Sequence, residues 1–379
     1  MLPPNYLGEN MAKSNGVSID EMRKIINKKA GITVAHNLKD ENPTEVKEWI
    51  PTGSRWLDSI ICRGKLAGIP VGKITEIAGL ESTGKSYMAA KIAANAQKMG
   101  IIVVYLDSES AIDPAFLENA GCDVGNLIYV QAQTVEFVLE TIEEYLRTGN
   151  KFLFIWDSLA LTPAIGDVEG DFNPLSSMAL KARILAKGMS KITIPIANSN
   201  STFLVLNQLK TNITRNPNMA LVEPFVTPGG KAMIYAYSLR VWLTGRKSKA
   251  SYINDENGFR IGSEVKATLK KSRFGTQGRQ ATFKILWGDE IRILDEESWL
   301  EAIKGSSYVD IKGSWYNLDM GNGDVVKFQP GRWMDKMQNE TFRNRVLEIM
   351  DEQVIRKFKN REGSSEEFYD IDHNEDQAE

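Results

Sequence analysis

The residues best suited to chemistry lie between Gly72 and Ser86, in the run GKITEIAGLESTGKS. The stretch Gly79-Leu80-Glu81-Ser82-Thr83-Gly84-Lys85-Ser86 fits the phosphate-loop pattern G-x-x-x-x-G-K-[ST]. Gly79 and Gly84 let the backbone turn tightly, so that N–H groups, including those of Glu81, Ser82 and Thr83, point at phosphate oxygens. Lys85 supplies a point charge for the β- and γ-phosphates, and Ser86 a hydroxyl for Mg²⁺. Tyr87 opens the Ala-rich, helix-compatible run that follows and closes the nucleotide-binding stretch. The N-terminus of such a helix favours anions. ATP with Mg²⁺ is the expected ligand pair.

Further acids sit at predicted strand ends. FLFIWD ends in Asp157, placed to hold Mg²⁺ directly or through water. IIVVYLD ends in Asp107, with Glu109 two residues on, and either can accept a proton from an attacking water. TFLVLNQ ends in Gln208, a neutral group able to sense a γ-phosphate by hydrogen bonding.

These side chains need a scaffold that brings several strand ends together. Apolar runs at Ile74–Gly79, Ile101–Asp107, Leu127–Gln131, Phe152–Asp157 and Thr202–Gln208 alternate with helical stretches such as Val135–Leu146 and Leu175–Ala197. That alternation predicts a parallel sheet covered on both faces, with ligands beyond the carboxyl ends of its strands. After Ser238 the segments Leu239–Leu243, Phe259–Leu269 and Thr282–Trp287 follow without helices, as in an antiparallel extension.

Two segments on the same edge read as loops, at about 164–178 and 209–230. The second is long for a connection inside a compact domain. It carries Lys210, Arg215, Gly229, Gly230 and Lys231. Lys181, Arg183, Lys187 and Lys191 recur on the helix after the first. Cations and backbone amides at loops suit a nucleic-acid backbone. Lys270-Lys271-Ser272-Arg273 is a compact basic cluster able to reach a neighbouring subunit's γ-phosphate.

Bulk properties exclude other classes. The net charge of −3 confines any nucleic-acid binding to local basic patches. Cys62 and Cys122 form no disulfide framework or zinc set, and the presence of only two histidines, His36 and His373, argues against His-based metal sites or a Ser-His-Asp hydrolase. The N-terminus lacks an apolar signal core, which predicts a cytoplasmic protein. The boundaries read as 1–45, an arm with a helix from the capping box Ser18–Glu21 and a strand at Ile32–Ala35; 46–293, the main body; 294–358, a small α+β module; and 359–379, an acidic disordered tail. The tail is expected to compete with DNA for the basic loops.

Taken in order, IPTGSRWLD, GKITEIAGLESTGKS, VVYLDSESAIDP, FLFIWDSLALTP, FLVLNQ, TPGGKAMIYAYSLRV, LKKSR and FKILWGDEI resemble the RecA-type recombinases, the family of bacterial RecA and phage UvsX. The resemblance runs from about Val46 to Phe358. It implies a P-loop NTPase core of α/β class with a mostly parallel sheet, a small N-terminal helix–strand arm and a small C-terminal α+β domain. It implies a DNA-dependent ATPase that forms a filament on single-stranded DNA and exchanges strands with a homologous duplex. The runner-up functions are a hexameric helicase motor on the same core and a non-catalytic DNA-binding mediator.

By resemblance, Glu109 is the catalytic base, and Asp113 and Phe116 hold the adenine with Trp287 approaching from the later sheet. Gln208 relays nucleotide state, and Met178, Arg183, Gly229 and Gly230 contact DNA. Lys271 and Arg273 act across the filament interface, and Ile32 and Val34 dock on the adjacent subunit. Arg273 stands where RecA has lysine, which favours the phage branch. The second loop is rich in Asn and Pro and departs from RecA's order of apolar residues, and Phe225 stands there as the candidate base wedge. Single-strand-binding protein and a loading mediator are the further partners expected.

Overall fold

The computed structural model describes residues 17–31, 33–40, 42, 44–169, 174–213, 223–245, 251–287 and 291–356. The side chains at 169 and 174–178 are outside that description, as are Ile32, Arg215 and the acidic tail. The chain divides into two compact units, Met1–Lys47 and Glu48–Glu379.

In the first unit the helix Ile19–Ala30 starts at a full capping box. The Ser18 side chain accepts from the Glu21 amide, and the Glu21 carboxylate accepts from the Ser18 amide. Gly31, at φ 70°, ends it in the left-handed region. None of its residues is buried, and Ile19, Met22, Ile25 and Ile26 are all exposed. The expected strand is absent among the described residues 33–35. Instead the Asn27 side chain accepts from the amides of Val34 (2.8 Å) and Ala35 (2.7 Å) and donates to the Ala35 carbonyl (3.0 Å). Those three bonds satisfy the backbone without a ladder partner.

The second unit opens with β1 (Trp49–Ile50) and β2 (Ile69–Pro70), paired antiparallel. Between them lies a helix, Arg55–Ile61. Ser54 caps it, and the buried Asp58 carboxylate accepts from both the amide and the hydroxyl of Thr52.

The main sheet uses β3 (Ile74–Gly79), β4 (Ile102–Asp107), β5 (Leu127–Gln131), β6 (Phe152–Asp157) and β7 (Thr202–Gln208). A short pair, β8 (Lys210–Thr211) with β9 (Phe225–Val226), closes the base of the second loop. The sheet continues with β10 (Leu239–Gly245), β11 (Tyr252–Asn254), β12 (Arg260–Ser272), β13 (Gln280–Trp287) and β14 (Ile291–Leu294). The order is β14-β13-β12-β10-β3-β7-β6-β4-β5, with β11 on β12. From β10 to β5 every pairing is parallel; from β10 to β14 every pairing is antiparallel. The predicted parallel core and antiparallel extension are both present.

Strand periodicity sorts the core into two layers. Ile77, Val103, Tyr105, Leu153, Ile155, Leu204 and Leu206 pack on one face with the helix Lys85–Lys98. Ile74, Val104, Leu106, Phe154, Trp156, Phe203 and Val205 pack on the other, with Val135–Leu146 and Pro174–Asn198. Covering both faces explains why these strands read as unbroken apolar runs.

The first expected loop is largely helical: Ile165–Glu169 is a helix, and the long helix begins at Pro174. The two helices approach closely at Gly166, where a Cβ would lie 2.7 Å from the Leu180 side chain.

After β14 come the helix Asp295–Ile303 and a sheet of β15 (Val309–Lys312), β16 (Trp315–Asp319) and β17 (Val325–Phe328). The helices Trp333–Met337 and Glu340–Met350 cover it, around a separate core of Phe328, Trp333 and Phe342. Among the described residues, no helix is long and apolar enough to cross a membrane.

Candidate functional site

The site is built where β3, β4, β6 and β7 end. Gly79, the last residue of β3, can carry no side chain: a Cβ would lie 2.4 Å from the Thr83 hydroxyl and 3.0 Å from the Leu243 carbonyl. Gly84 sits at φ 79°, and a Cβ there would strike Ile285 at 2.4 Å. Between them the loop is closed by Thr83, whose hydroxyl donates to the Leu80 carbonyl at 2.8 Å. Glu81 and Ser82 are exposed. Gly84 leads into the helix Lys85–Lys98, so the amides of its first turn face the loop.

Lys85 turns its amine back onto the loop, donating to the Leu80 carbonyl at 3.0 Å. Burial lowers its pKa, while Asp157, Glu109 and Glu81 oppose that shift. A part-buried cation beside the amides of a helix N-terminus fits a polyanionic ligand. Ser86 donates to Asp157 Oδ2 at 3.0 Å, and Tyr105 donates to the same oxygen at 2.9 Å. Burial pushes Asp157 up to about 6, against the pull of those two hydroxyls. Among the described residues no cluster of three or more His, Cys, Asp or Glu could hold a metal unaided. A hydroxyl beside one carboxylate, next to a phosphate loop, fits an oxygen-loving cation that takes its other ligands from phosphate and water.

Asp107 lies opposite Asp157 in register. Its oxygens accept from the amides of Glu109, Ser110, Ala111 and Ile112 and from the Tyr129 hydroxyl. That set fully engages Asp107 and shapes the turn that presents Glu109. Glu109 in turn accepts from the Ser158 hydroxyl at 2.7 Å. The residue after Asp157, joined to it by a cis peptide, therefore orients the acid at the end of the neighbouring strand. Sequence reading missed Ser158, Tyr105 and Tyr129. Their roles depend on which strands are neighbours, although Tyr105 lies on the Asp107 face by period two.

Gln208 lies opposite Gly79 across β7 and β3. Asp113 caps the helix Pro114–Ala120 by accepting from the Ala115 amide at 3.0 Å. Phe116 meets the buried Tyr87 edge-on at 6.3 Å between ring centres. Trp287, at the end of β13, faces the Arg260 guanidinium at 4.9 Å, whose other neighbour is Tyr252 at 3.8 Å. A cleft of about 430 Å³ runs from Glu81 and Ser82 to Tyr252 and Arg260.

The basic residues divide. Lys181 turns inward: its amine donates to the carbonyls of Leu159 (2.8 Å) and Thr162 (2.6 Å). Lys191 pairs with Glu143 at 3.1 Å. Arg183, Lys210 and Lys231 are exposed. Met178 lies in the helix Pro174–Asn198. Gly229 and Gly230, at φ 110° and 74°, start the helix Gly230–Ala236 at the end of the second loop. Lys271 donates to the carbonyls of Ile234 (2.6 Å) and Tyr235 (3.2 Å), and Arg273 to that of Tyr235 (2.9 Å). Both therefore cap the C-terminal end of that helix.

A family model for the RecA N-terminal domain matches residues 17–292, most of the chain. The chain belongs to the RecA family. It is 31% identical to Protein RecA of Colwellia psychrerythraea over 76% of this chain and 81% of that one. It is 30% identical to Protein RecA of Wolinella succinogenes over 98% of both chains. For Protein RecA of Thermus thermophilus the identity is 30%, over 91% of this chain and 98% of that one. As a RecA-family protein it is a DNA-dependent ATPase that binds DNA, assembles with itself into filaments and catalyses strand exchange in recombination and repair. The family assignment decides against the helicase-motor and mediator alternatives.

Proposed function

We propose that ATP binds with its phosphates on the loop Gly79–Ser86, that Ser86 and Asp157 hold Mg²⁺ beside them, and that Glu109 is the base for hydrolysis. The observation that carries this reading is the meeting of Lys85, Ser86 and Asp157 with Glu109 at adjacent strand ends. Bound Mg²⁺ would neutralise phosphate charge. The Lys85 amine leaves the Leu80 carbonyl and takes a phosphate oxygen instead, a charge-assisted bond replacing a neutral one. Glu109, fixed by Ser158, takes the proton of the attacking water as that oxygen bonds to the γ-phosphorus and the bond to ADP breaks. Asp113, Phe116, Tyr87 and Trp287 form the base end of the pocket.

Gln208 senses the γ-phosphate and passes nucleotide state to the second loop. DNA lies along Met178, Arg183, Lys210, Arg215, Gly229, Gly230 and Lys231. Lys271 and Arg273 reach a neighbouring subunit's nucleotide, so that hydrolysis weakens the filament. A single-strand-binding protein and a loading mediator are the further partners of this reading. The protein would act in the cytoplasm, that of a bacterial host if it is phage-encoded. The helix and loop of 1–45 serve as a polymerisation arm and 294–358 as a separate domain.

The test is ATP hydrolysis with Mg²⁺, with and without single-stranded DNA. DNA-stimulated hydrolysis that requires both Glu109 and Asp157 supports the reading. Stimulated hydrolysis that survives Glu109→Gln and Asp157→Asn overturns the residue assignments.

A further inference from the structure

Three polar residues are buried side by side on the face of the sheet that packs against the helix Pro174–Asn198. Glu76 of β3 and Asn207 of β7 are fully buried, and Arg240 of β10 is 5% exposed. Glu76 and Arg240 are register partners. Glu76 Oε2 accepts from Arg240 Nε at 2.6 Å, and Oε1 accepts from Asn207 Nδ2 at 3.0 Å. The cluster then leaves the sheet at two points. Asn207 also donates to the Pro228 carbonyl at 3.0 Å, and Arg240 to the Thr227 hydroxyl at 2.8 Å.

Its members are placed to connect three parts. Glu76 stands three residues before Gly79, where β3 enters the phosphate loop. Asn207 immediately precedes Gln208, and its side-chain oxygen accepts from the Gln208 amide at 3.0 Å. Thr227 and Pro228 form the stem through which the second loop returns to the helix Gly230–Ala236. A buried ion pair cannot lose one partner cheaply. A shift of the stem must therefore carry Arg240 and Asn207 with it or break their bonds. Such a network has discrete arrangements rather than a continuum, which suits a relay.

We propose that Glu76, Asn207 and Arg240 are positioning residues that couple the nucleotide pocket to the stem of the 209–230 loop. The proposal rests on the reading of that loop as a DNA contact. Because coupling is reciprocal, the cluster makes DNA affinity depend on the nucleotide, and DNA binding in turn changes how the nucleotide is held.

The experiment uses the full chain and reads two ratios. One is single-stranded DNA affinity with a non-hydrolysable ATP analogue over that with ADP. The other is ATP hydrolysis with saturating DNA over that without. Thr227→Val removes the acceptor of Arg240 and leaves the buried pair intact; Thr227→Ser keeps it. The valine variant should lower both ratios by about fivefold, and the serine variant should restore them. Glu76→Gln with Arg240→Met, which replaces the pair by neutral residues of similar size, should lower both by about tenfold or more. If that double variant does not fold, the Thr227 pair still decides. Parental ratios in Thr227→Val would overturn the relay. A separate variant, Lys210→Ala with Lys231→Ala, reports on the loop itself. Unchanged DNA affinity there would overturn the loop reading, whereas weakened affinity with parental ratios in Thr227→Val would overturn the relay alone.

Discussion

Asp107 and Asp157 stand opposite each other on β4 and β6, yet they are held by different donors. Asp107 takes four backbone amides and a tyrosine hydroxyl. Asp157 takes two hydroxyls, one of them from Ser86 of the phosphate loop. Two acids of one type, in one register, are thus divided by their neighbours: one shapes a turn, and the other faces the loop. Hydroxyls can give way to a cation more readily than amides fixed in a turn, which favours Asp157 as the ligand.

Lys85→Ala should remove the only lysine of the phosphate loop. ATP hydrolysis should fall about a hundredfold or more, the scale expected when one stabilising donor is lost from a charged transition state. ATP-dependent assembly on single-stranded DNA should disappear with it, as read by electron microscopy or light scattering. Intact filaments with ATP would contradict the role.

Glu109→Gln keeps the size of the side chain and the bond from Ser158. Hydrolysis in a single turnover should fall by about 10² to 10⁴, while ATP still supports DNA binding. Ser158→Ala loses only the orienting bond and should cost about tenfold or less. A larger loss from Ser158→Ala than from Glu109→Gln would argue that Glu109 is not the base.

Lys271→Ala with Arg273→Ala should cut DNA-stimulated hydrolysis while leaving subunits folded. The two residues cap the helix Gly230–Ala236, so a stability cost of about 1 kcal/mol is expected as well. Denaturation of the DNA-free protein separates that cost from the loss of hydrolysis. Parental DNA-stimulated rates would remove both residues from the interface chemistry.

Asp58 gives a pH signature. Burial pushes it up to about 8 from 3.8, against the two bonds from Thr52. The folded state therefore holds the proton where the unfolded chain releases it. Stability from this group is full below about pH 4 and is lost as pH rises towards 8, with a ceiling of about 1.4 kcal/mol per pH unit. Asp58→Asn can keep both Thr52 bonds on one oxygen and does not titrate. The melting temperature of the variant relative to the parent should rise from pH 4 to pH 8 and then level off. A pH-independent difference would contradict a protonated Asp58.

Much of this fold was legible because its signals are local. The phosphate loop is eight consecutive residues, and the strands that end in Asp107, Asp157 and Gln208 are unbroken apolar runs. The Ser18–Glu21 box and Gly31 delimit a helix by adjacent contacts alone. What sequence missed is relational. Ser158, Tyr105 and the Glu76–Arg240 pair acquire meaning only from strand order. The β-branched run at Ile32–Ala35 suggested a strand, but the side chain of Asn27 claims its amides. Glycine, asparagine and proline near 165–177 suggested a loop, yet Gly166 serves close helix packing. Lys181 read as one of the cations suited to a nucleic-acid backbone because sequence does not show the carbonyls of Leu159 and Thr162 beneath it.

The most direct test of the central claim is strand exchange with ATP and Mg²⁺. A single strand is offered a labelled duplex, homologous in one sample and unrelated in the other. The account predicts displacement of the labelled strand from the homologous duplex only. Displacement from both, or from neither, would contradict it.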